Sequence, residues 1–184
     1  MTNPTPTDEV LAQWLQRETE IRQTMLPHGI VPMHEVLPQS GLQLLQGMLH
    51  GKTPHASFSK TVDFLLVDVS EGKAVFQGTP GDGHLNPMGT IHGGWFATLL
   101  DSAMGCSVHS MMPPGKAYTT AELNVNLVKA LTPKVPRVRA IAEVVHCGKQ
   151  LATAQARLVG PDGTLYAHAT STCLVFNIPS QSRP

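Results

Sequence analysis

The chain has 184 residues, enough for one domain with a sizeable core but short for two, and its 13 basic and 13 acidic side chains give a formal net charge of zero. The two signs are interspersed, so the chain carries no electrostatic footprint for nucleic acid or an anionic membrane surface. The longest apolar run is interrupted by His92, Gly93, Gly94, Asp101 and His109, which excludes a membrane-spanning helix there.

The start, MTNPTPTDEV, is a polar tail without the basic-then-apolar layout of a secretory signal. Thr7 or Asp8 is expected to cap a first helix, because Val10, Leu11, Trp14, Leu15, Ile21 and Met25 recur near helical spacing before MLPHGIVP stops it. Leu42, Leu44, Leu45, Met48 and Leu49 give a second, shorter helical pattern that ends in HGKTPH. Residues 1 to 57 therefore read as an N-terminal helical extension, which could cover a sheet edge, extend an interface or gate a pocket.

From Phe58 the period changes, and TVDFLLVDVSEGKAVFQGTP predicts two strands about a turn at Ser70 to Lys73. The apolar run from Ile91 to Val108 is the one long helix of this half, ending before MMPPG. In AYTTAELNVNLVKAL a two-residue period sets Ala121, Leu123, Val125 and Leu127 against Thr120, Glu122, Asn124 and Asn126. RVRAIAEVVH and LATAQARLV flank the CGKQ turn, and GPDGT leads into LYAHATSTCLVF. This pattern predicts an α+β architecture of five to six antiparallel strands. A helix apolar on all sides cannot sit on a surface, so the sheet must wrap around it.

Several residues could carry chemistry. Gly93 and Gly94 fall in the first turn of the helix, where backbone N–H groups lack partners and the dipole favours negative charge. That makes an oxyanion site, although two glycines also allow tight packing at a helix start. Asp101 lies between Leu100 and Ser102 with Leu99, Ala103 and Met104 around it; a carboxylate there must be hydrogen-bonded, paired or functional. Thr119 shares parity with Ala121 and Leu123, which predicts that its hydroxyl points to the buried face and needs a partner. Asn86 before Pro87 reads as a turn residue or as an amide aimed at substrate.

Other chemistries fare worse. Nine histidines raise the question of a metal, yet there is no His-x-x-x-His and no Cys-x-x-Cys, so no metal site is expected. Ser102 in LDSAM lacks the Gly-x-Ser-x-Gly elbow of a hydrolase nucleophile. Cys106, Cys147 and Cys173 are odd in number and widely spaced, which reads as free thiols in a reducing compartment and makes the cytoplasm the expected location.

The sheet around a buried helix, together with NPMGTIHGG, Asp101 and TTAELNVN, resembles the hot-dog fold thioesterases and, within them, the PaaI-type acyl-CoA thioesterases of phenylacetate degradation. The resemblance covers roughly Phe58 to Phe176 and implies a hot-dog domain over residues 58 to 184. In this family an amide residue stands six before the motif histidine, an acid nine after it, and a hydroxyl residue eighteen after the acid. Asn86, His92, Asp101 and Thr119 occupy those positions. The resemblance implies a thioester hydrolase in which Asp101 is general base or nucleophile, the Gly93 N–H holds the oxyanion, and His92, Asn86 and Thr119 complete the catalytic set.

Gly94, Trp95, Met88 and Met104 are then candidate substrate contacts and Lys149 a candidate for a coenzyme A phosphate, although methionines and tryptophan at helical spacing also suit a core. No cofactor is expected beyond the coenzyme A of the substrate. The expected assembly is a homodimer with shared sites, or a tetramer made from two of them. Two rivals remain at this level. One is a hot-dog acyl-CoA hydratase or dehydratase, whose acid would have to be Asp82. The other is a non-enzymatic acyl-CoA or aromatic-ligand binding protein.

Overall fold

A computed structural model describes residues 4–179. The first three residues of the polar tail, and residues 180 to 184 of the expected hot-dog domain, lie outside them. Helix α1 (Pro6–Thr24) is capped by Thr5 rather than by Thr7 or Asp8. Pro6 takes the first helical position, where its missing N–H is no loss. Asp8 falls three residues beyond the cap, where its carboxylate accepts from the Thr5 N–H at 2.9 Å while its own N–H donates to the Thr5 hydroxyl.

A single turn, α2 (Met33–Val36), and then α3 (Gly41–Leu49) follow, the latter boxed by Ser40 and Gln43. The segment expected to begin a strand at Phe58 is instead a short helix, α4 (Ser57–Val62), ended by Asp63 at φ 47°. An exposed C-terminal carbonyl is what such a helix would leave unpaired. Here the Trp95 indole N–H donates to the Val62 carbonyl at 2.8 Å.

Strands β1 (Phe64–Ser70) and β2 (Lys73–Gly78) form a hairpin whose turn falls where the sequence places it. After the long helix α5 (Gly93–His109) come β3 (Lys116–Leu127), β4 (Val138–Cys147), β5 (Leu151–Val159) and β6 (Leu165–Asn177). The six strands make one sheet in the order β1-β2-β4-β5-β6-β3, antiparallel throughout. It curls around α5, which packs against every strand: this is the hot-dog fold.

Side-chain size explains how closely the sheet wraps. The helix contributes Trp95, Phe96, Leu99, Leu100 and Met104 to the core, whereas β4, β5 and β6 contribute mostly alanines, including Ala140, Ala142, Ala154, Ala156 and Ala169. Large knobs against a shallow alanine floor let helix and sheet approach closely.

The helical extension is part of the same core, since Ile21, Leu45 and Leu49 join the cluster around α5 and β1. Helix α1 is anchored to the sheet by polar contacts as well. The Arg139 guanidinium lies 4.4 Å from the Trp14 ring centroid, and Arg17 donates to the Val67 carbonyl at 3.0 Å. The nearly buried Glu18 carboxylate accepts from Arg137 at 2.6 Å and from Arg22 and Gln77 at 2.8 Å each.

Candidate active site

The site begins in the loop that leads into α5. A 3-10 turn, Asp82–His84, leaves Asp82 exposed, and a bridge between Leu85 and Ile91 closes the loop around Asn86. The Asn86 side-chain oxygen accepts from the N–H groups of Met88 and Thr90, while its amide donates to the Thr90 hydroxyl at 2.9 Å. Asn86 thus shapes the turn, its oxygen accepting twice and its amide donating once within the loop.

His92 caps α5. Its Nδ1 accepts the Gly94 N–H at 2.9 Å, and its carbonyl accepts from Trp95. Of the two glycines only Gly93 keeps an N–H with no partner among the described residues. A β-carbon on Gly93 would lie 2.9 Å from Leu127 Cδ1, the tip of an exposed side chain, so the start of α5 passes close to the end of β3. The free N–H of Gly93 sits at the positive end of the longest buried helix dipole in the fold.

Asp101 lies two turns further along α5, half-buried, on a helix whose neighbouring Leu99, Leu100, Ala103 and Met104 are fully buried. The charge is held by Thr120, whose hydroxyl donates to Oδ1 at 3.0 Å. Thr119, expected on the buried face, is instead exposed. The cause is a β-bulge. Thr120 pairs with Cys173 but Glu122 pairs with Thr172, leaving Ala121 as an extra residue that reverses the parity of β3. The alternation counted from Leu123 and Val125 therefore holds beyond Ala121 and inverts before it, turning Tyr118 and Thr120 toward the helix.

Sequence reasoning also missed Tyr118, although one signal was present. Gly105 interrupts α5 four residues after Asp101, and an interior helical glycine costs about 1 kcal/mol relative to alanine. A β-carbon at that position would fall 2.5 Å from the Tyr118 hydroxyl oxygen, so the glycine makes room for the tyrosine. Burial, with the charge of Asp101 nearby, pushes the Cys106 thiol up to about 12 and the Tyr118 phenol well above its usual value. Both stay neutral beside the carboxylate.

Asp101 and Ser102 line a pocket of about 200 Å³ whose other walls include Met48, Phe58, Phe64, Phe76, Cys106 and Tyr118. The expected substrate contacts do not gather here. Met104 is fully buried in the core, Met88 is 90% exposed on the loop, and Lys149 is exposed in the turn between β4 and β5. Trp95 is buried, stacked on His84 at 5.4 Å and tied to Val62, which makes it a support for the loop. Gly94 spends its N–H on His92. Among the described residues no three His, Cys, Asp or Glu side chains converge as a metal site would require, and no helix is long and apolar enough to cross a membrane.

The two candidate groups therefore lie on one helix but apart. Gly93 and Asp101 are eight residues distant, which at 1.5 Å per residue is about 12 Å along the axis. A single copy of the chain does not bring the free N–H and the carboxylate onto one carbonyl group.

Residues 88–167 match the model of the thioesterase superfamily. A curated protein of Halobacterium salinarum, named as an esterase, is 35% identical over 86 residues; these are 47% of this chain and 56% of that protein, so the chain spans little more than half the length of this relative. Among solved structures, a phenylacetic acid degradation-related protein of Ralstonia eutropha superposes with a TM-score of 0.65 at 25% identity, covering 71% of this chain and 98% of its own. A variant of the phenylacetic acid degradation protein PaaI from Thermus thermophilus gives 0.57 at 26%, covering 64% and 96%. Escherichia coli PaaI gives 0.64 at 20% identity, covering 77% and 96%, a likeness of fold.

Proposed function

We infer that this chain, a hot-dog-fold member of the thioesterase superfamily of the PaaI type, hydrolyses acyl-CoA thioesters to the free acid and coenzyme A. One observation carries the reading: a half-buried carboxylate, Asp101, oriented by Thr120 at 3.0 Å, lines a largely apolar pocket. Nothing in the packing of α5 calls for a charge there. A hydrolase that must activate water beside an apolar acyl group does.

In this reading the acyl group enters the pocket and its thioester carbonyl lies at the mouth. Asp101 takes a proton from water as the water oxygen bonds to the carbonyl carbon, or the carboxylate itself makes that bond and water later opens the resulting anhydride. Either way the carbonyl electron pair moves to oxygen, where an N–H at a helix start stabilises it. The intermediate then collapses and the carbon–sulfur bond breaks: in the first route coenzyme A leaves as thiol with the proton Asp101 took from water, and in the second it leaves as thiolate and takes up a proton released when water opens the anhydride. Thr120 keeps one carboxylate oxygen occupied so that the other faces the reacting carbon. Asn86 and His92 act through the loop, by holding Gly93 where its N–H stays free. The proposal uses no metal or redox group, and coenzyme A enters only as part of the substrate.

The oxyanion donor is assigned to a second copy of the chain. β3 pairs with β6 on one side only, and Leu123, Leu127 and Val128 are exposed along it and just past its end, with Leu127 beside Gly93. An exposed edge strand with apolar side chains is a pairing surface, and a twofold pair joined there makes two equal sites, each with Asp101 from one copy and Gly93 from the other. Such dimers can pair again into tetramers. The three free cysteines support a reducing compartment, and the cytoplasm is the proposed location.

Asp101→Asn tests the reading. It keeps the shape and removes the base, so release of free thiol from acyl-CoA is expected to fall about 10²-fold to 10⁴-fold with binding of the acyl-CoA retained. Wild-type turnover by the variant would remove Asp101 from the mechanism.

A further inference from the structure

We propose that the segment from Met48 to Ser59, which runs from the end of α3 into α4, is the specificity wall of the pocket at Asp101 and limits the enzyme to compact, uncharged acyl groups. The proposal rests on the thioester-hydrolase reading above. It concerns a part of the chain that lies ahead of the superfamily match, which begins at residue 88. The Thermus structure, for instance, uses 96% of its own length to cover 64% of this chain, leaving about a third of the chain without a counterpart there.

The pocket has two sides of different origin. Phe64, Leu66 and Phe76 come from the hairpin and Asp101, Cys106 and Tyr118 from α5 and β3, all within the hot-dog fold, whereas Met48, His55, Phe58 and Ser59 come from the segment before it. Removing that segment would leave the aromatic floor open along β1. With the segment in place the space is about 200 Å³. An apolar cavity of about 150 Å³ accommodates benzene, so the space here holds an acyl group of about one six-membered ring or a short chain.

The wall is built to stay where it is. The Thr53 hydroxyl donates to the Leu44 carbonyl at 2.9 Å, and the N–H groups of Lys52 and Thr53 both donate to the Gly47 carbonyl. Gly47 itself has no room for a β-carbon, which would meet Thr53 Oγ1 at 2.7 Å. His55 is 2% exposed, bonds the Met48 carbonyl through Nε2 at 3.3 Å, and is held neutral by burial, which lowers its pKa. At the far end Phe58 packs edge-on to Phe64 at 6.1 Å, and Phe64 edge-on to Phe76 at 5.6 Å. These ties fix the depth of the slot before any ligand arrives.

Charge follows from the same inventory. Among the described residues no lysine or arginine lines the pocket, and its one carboxylate is Asp101. An acyl group ending in a carboxylate would bring a second negative charge into an apolar slot beside the first, without a cation to receive it.

The test compares kcat/KM of the full-length protein over a straight-chain series from butanoyl- to hexadecanoyl-CoA, with phenylacetyl- and succinyl-CoA added. Wild type is expected to favour the short and ring-sized substrates and to reject succinyl-CoA. Met48→Ala with Phe58→Ala opens the slot, and the ratio of kcat/KM for dodecanoyl- over butanoyl-CoA is expected to rise about tenfold or more. Ala56→Phe narrows the mouth from an exposed position and is expected to lower the same ratio; it carries the test if the double variant does not fold. An unchanged ratio in folded variants, or a wild-type preference for the longest chains or for succinyl-CoA, overturns the wall. Should wild type cleave no thioester at all, the hydrolase reading falls separately. Binding of non-hydrolysable thioether analogues of the same series then reads the wall directly, with the same ratios expected and the same unchanged ratio overturning it.

Discussion

Thr120 on β3 donates its hydroxyl to Asp101 on α5 across 3.0 Å, joining the edge strand to the only acid in the middle of the buried helix. An ionised carboxylate can only accept, so the direction of this bond is fixed and it restrains the carboxylate plane. Thr120→Val keeps the shape and removes the donor. It is expected to lower kcat about tenfold with little change in KM, while Thr120→Ser restores most of the loss. Thr119→Ala, on the opposite face of the strand, should change kcat less than Thr120→Val does. Steady-state kinetics on one acyl-CoA with the three variants decides it, and a larger loss at Thr119 would return the role to that residue.

The contrast between these two threonines shows what the sequence could and could not convey. The long helix, the Ser70 to Lys73 turn and the strands after it were legible because each rests on a local period. The bulge at Ala121 has no local marker, since it exists only in the pairing of β3 with β6, and one extra residue moves every side chain before it to the other face. α4 was hidden for a related reason: six residues are too few to show a period, and its last carbonyl is satisfied by Trp95 from a distant helix. The position of Asp101 was legible as an anomaly, a charge in an apolar helix. The pocket beside it was not, because Met48 and Phe58 reach it from a segment separated from Asp101 by about forty residues or more.

Glu18 ties α1 to the sheet and makes that attachment sensitive to acid. Burial alone would raise its pKa, but the bonds from Arg137, Arg22 and Gln77 together outweigh burial and hold the carboxyl below its usual value of 4.5. A carboxyl with a depressed folded pKa binds more protons in the unfolded chain, so its contribution is fully present above the unfolded pKa and is lost as pH falls through the folded one. Glu18→Gln is expected to lower stability near pH 7 by about 3 kcal/mol, and to flatten the fall in Tm between roughly pH 5 and pH 3 that wild type shows. Thermal melts across that range check it. Parallel curves for the two proteins would mean that Glu18 contributes nothing that titrates.

The separation of Gly93 and Asp101 by about 12 Å on one helix yields the sharpest test of the shared site. If each site takes the carboxylate from one copy and the loop with Gly93 from the other, damage to the two parts can be divided between copies. Asp101→Asn removes the base. Asn86→Ala removes the acceptor of the Met88 and Thr90 N–H groups and the donor to the Thr90 hydroxyl, so the loop that places His92 and Gly93 loses its brace. Each variant alone forms dimers in which both sites carry one lesion. Refolded together in equal amounts, the chains pair at random and about half the dimers are mixed. In a mixed dimer one site receives the intact carboxylate and the intact loop, and the other receives both lesions. Activity is therefore expected to recover to about a quarter of wild type, well above either parent. Were each site built within one chain, every site in the mixture would still carry one lesion, and the rate would be the average of the two variants. Measuring thiol release before and after co-refolding, at the same total protein, separates the two architectures.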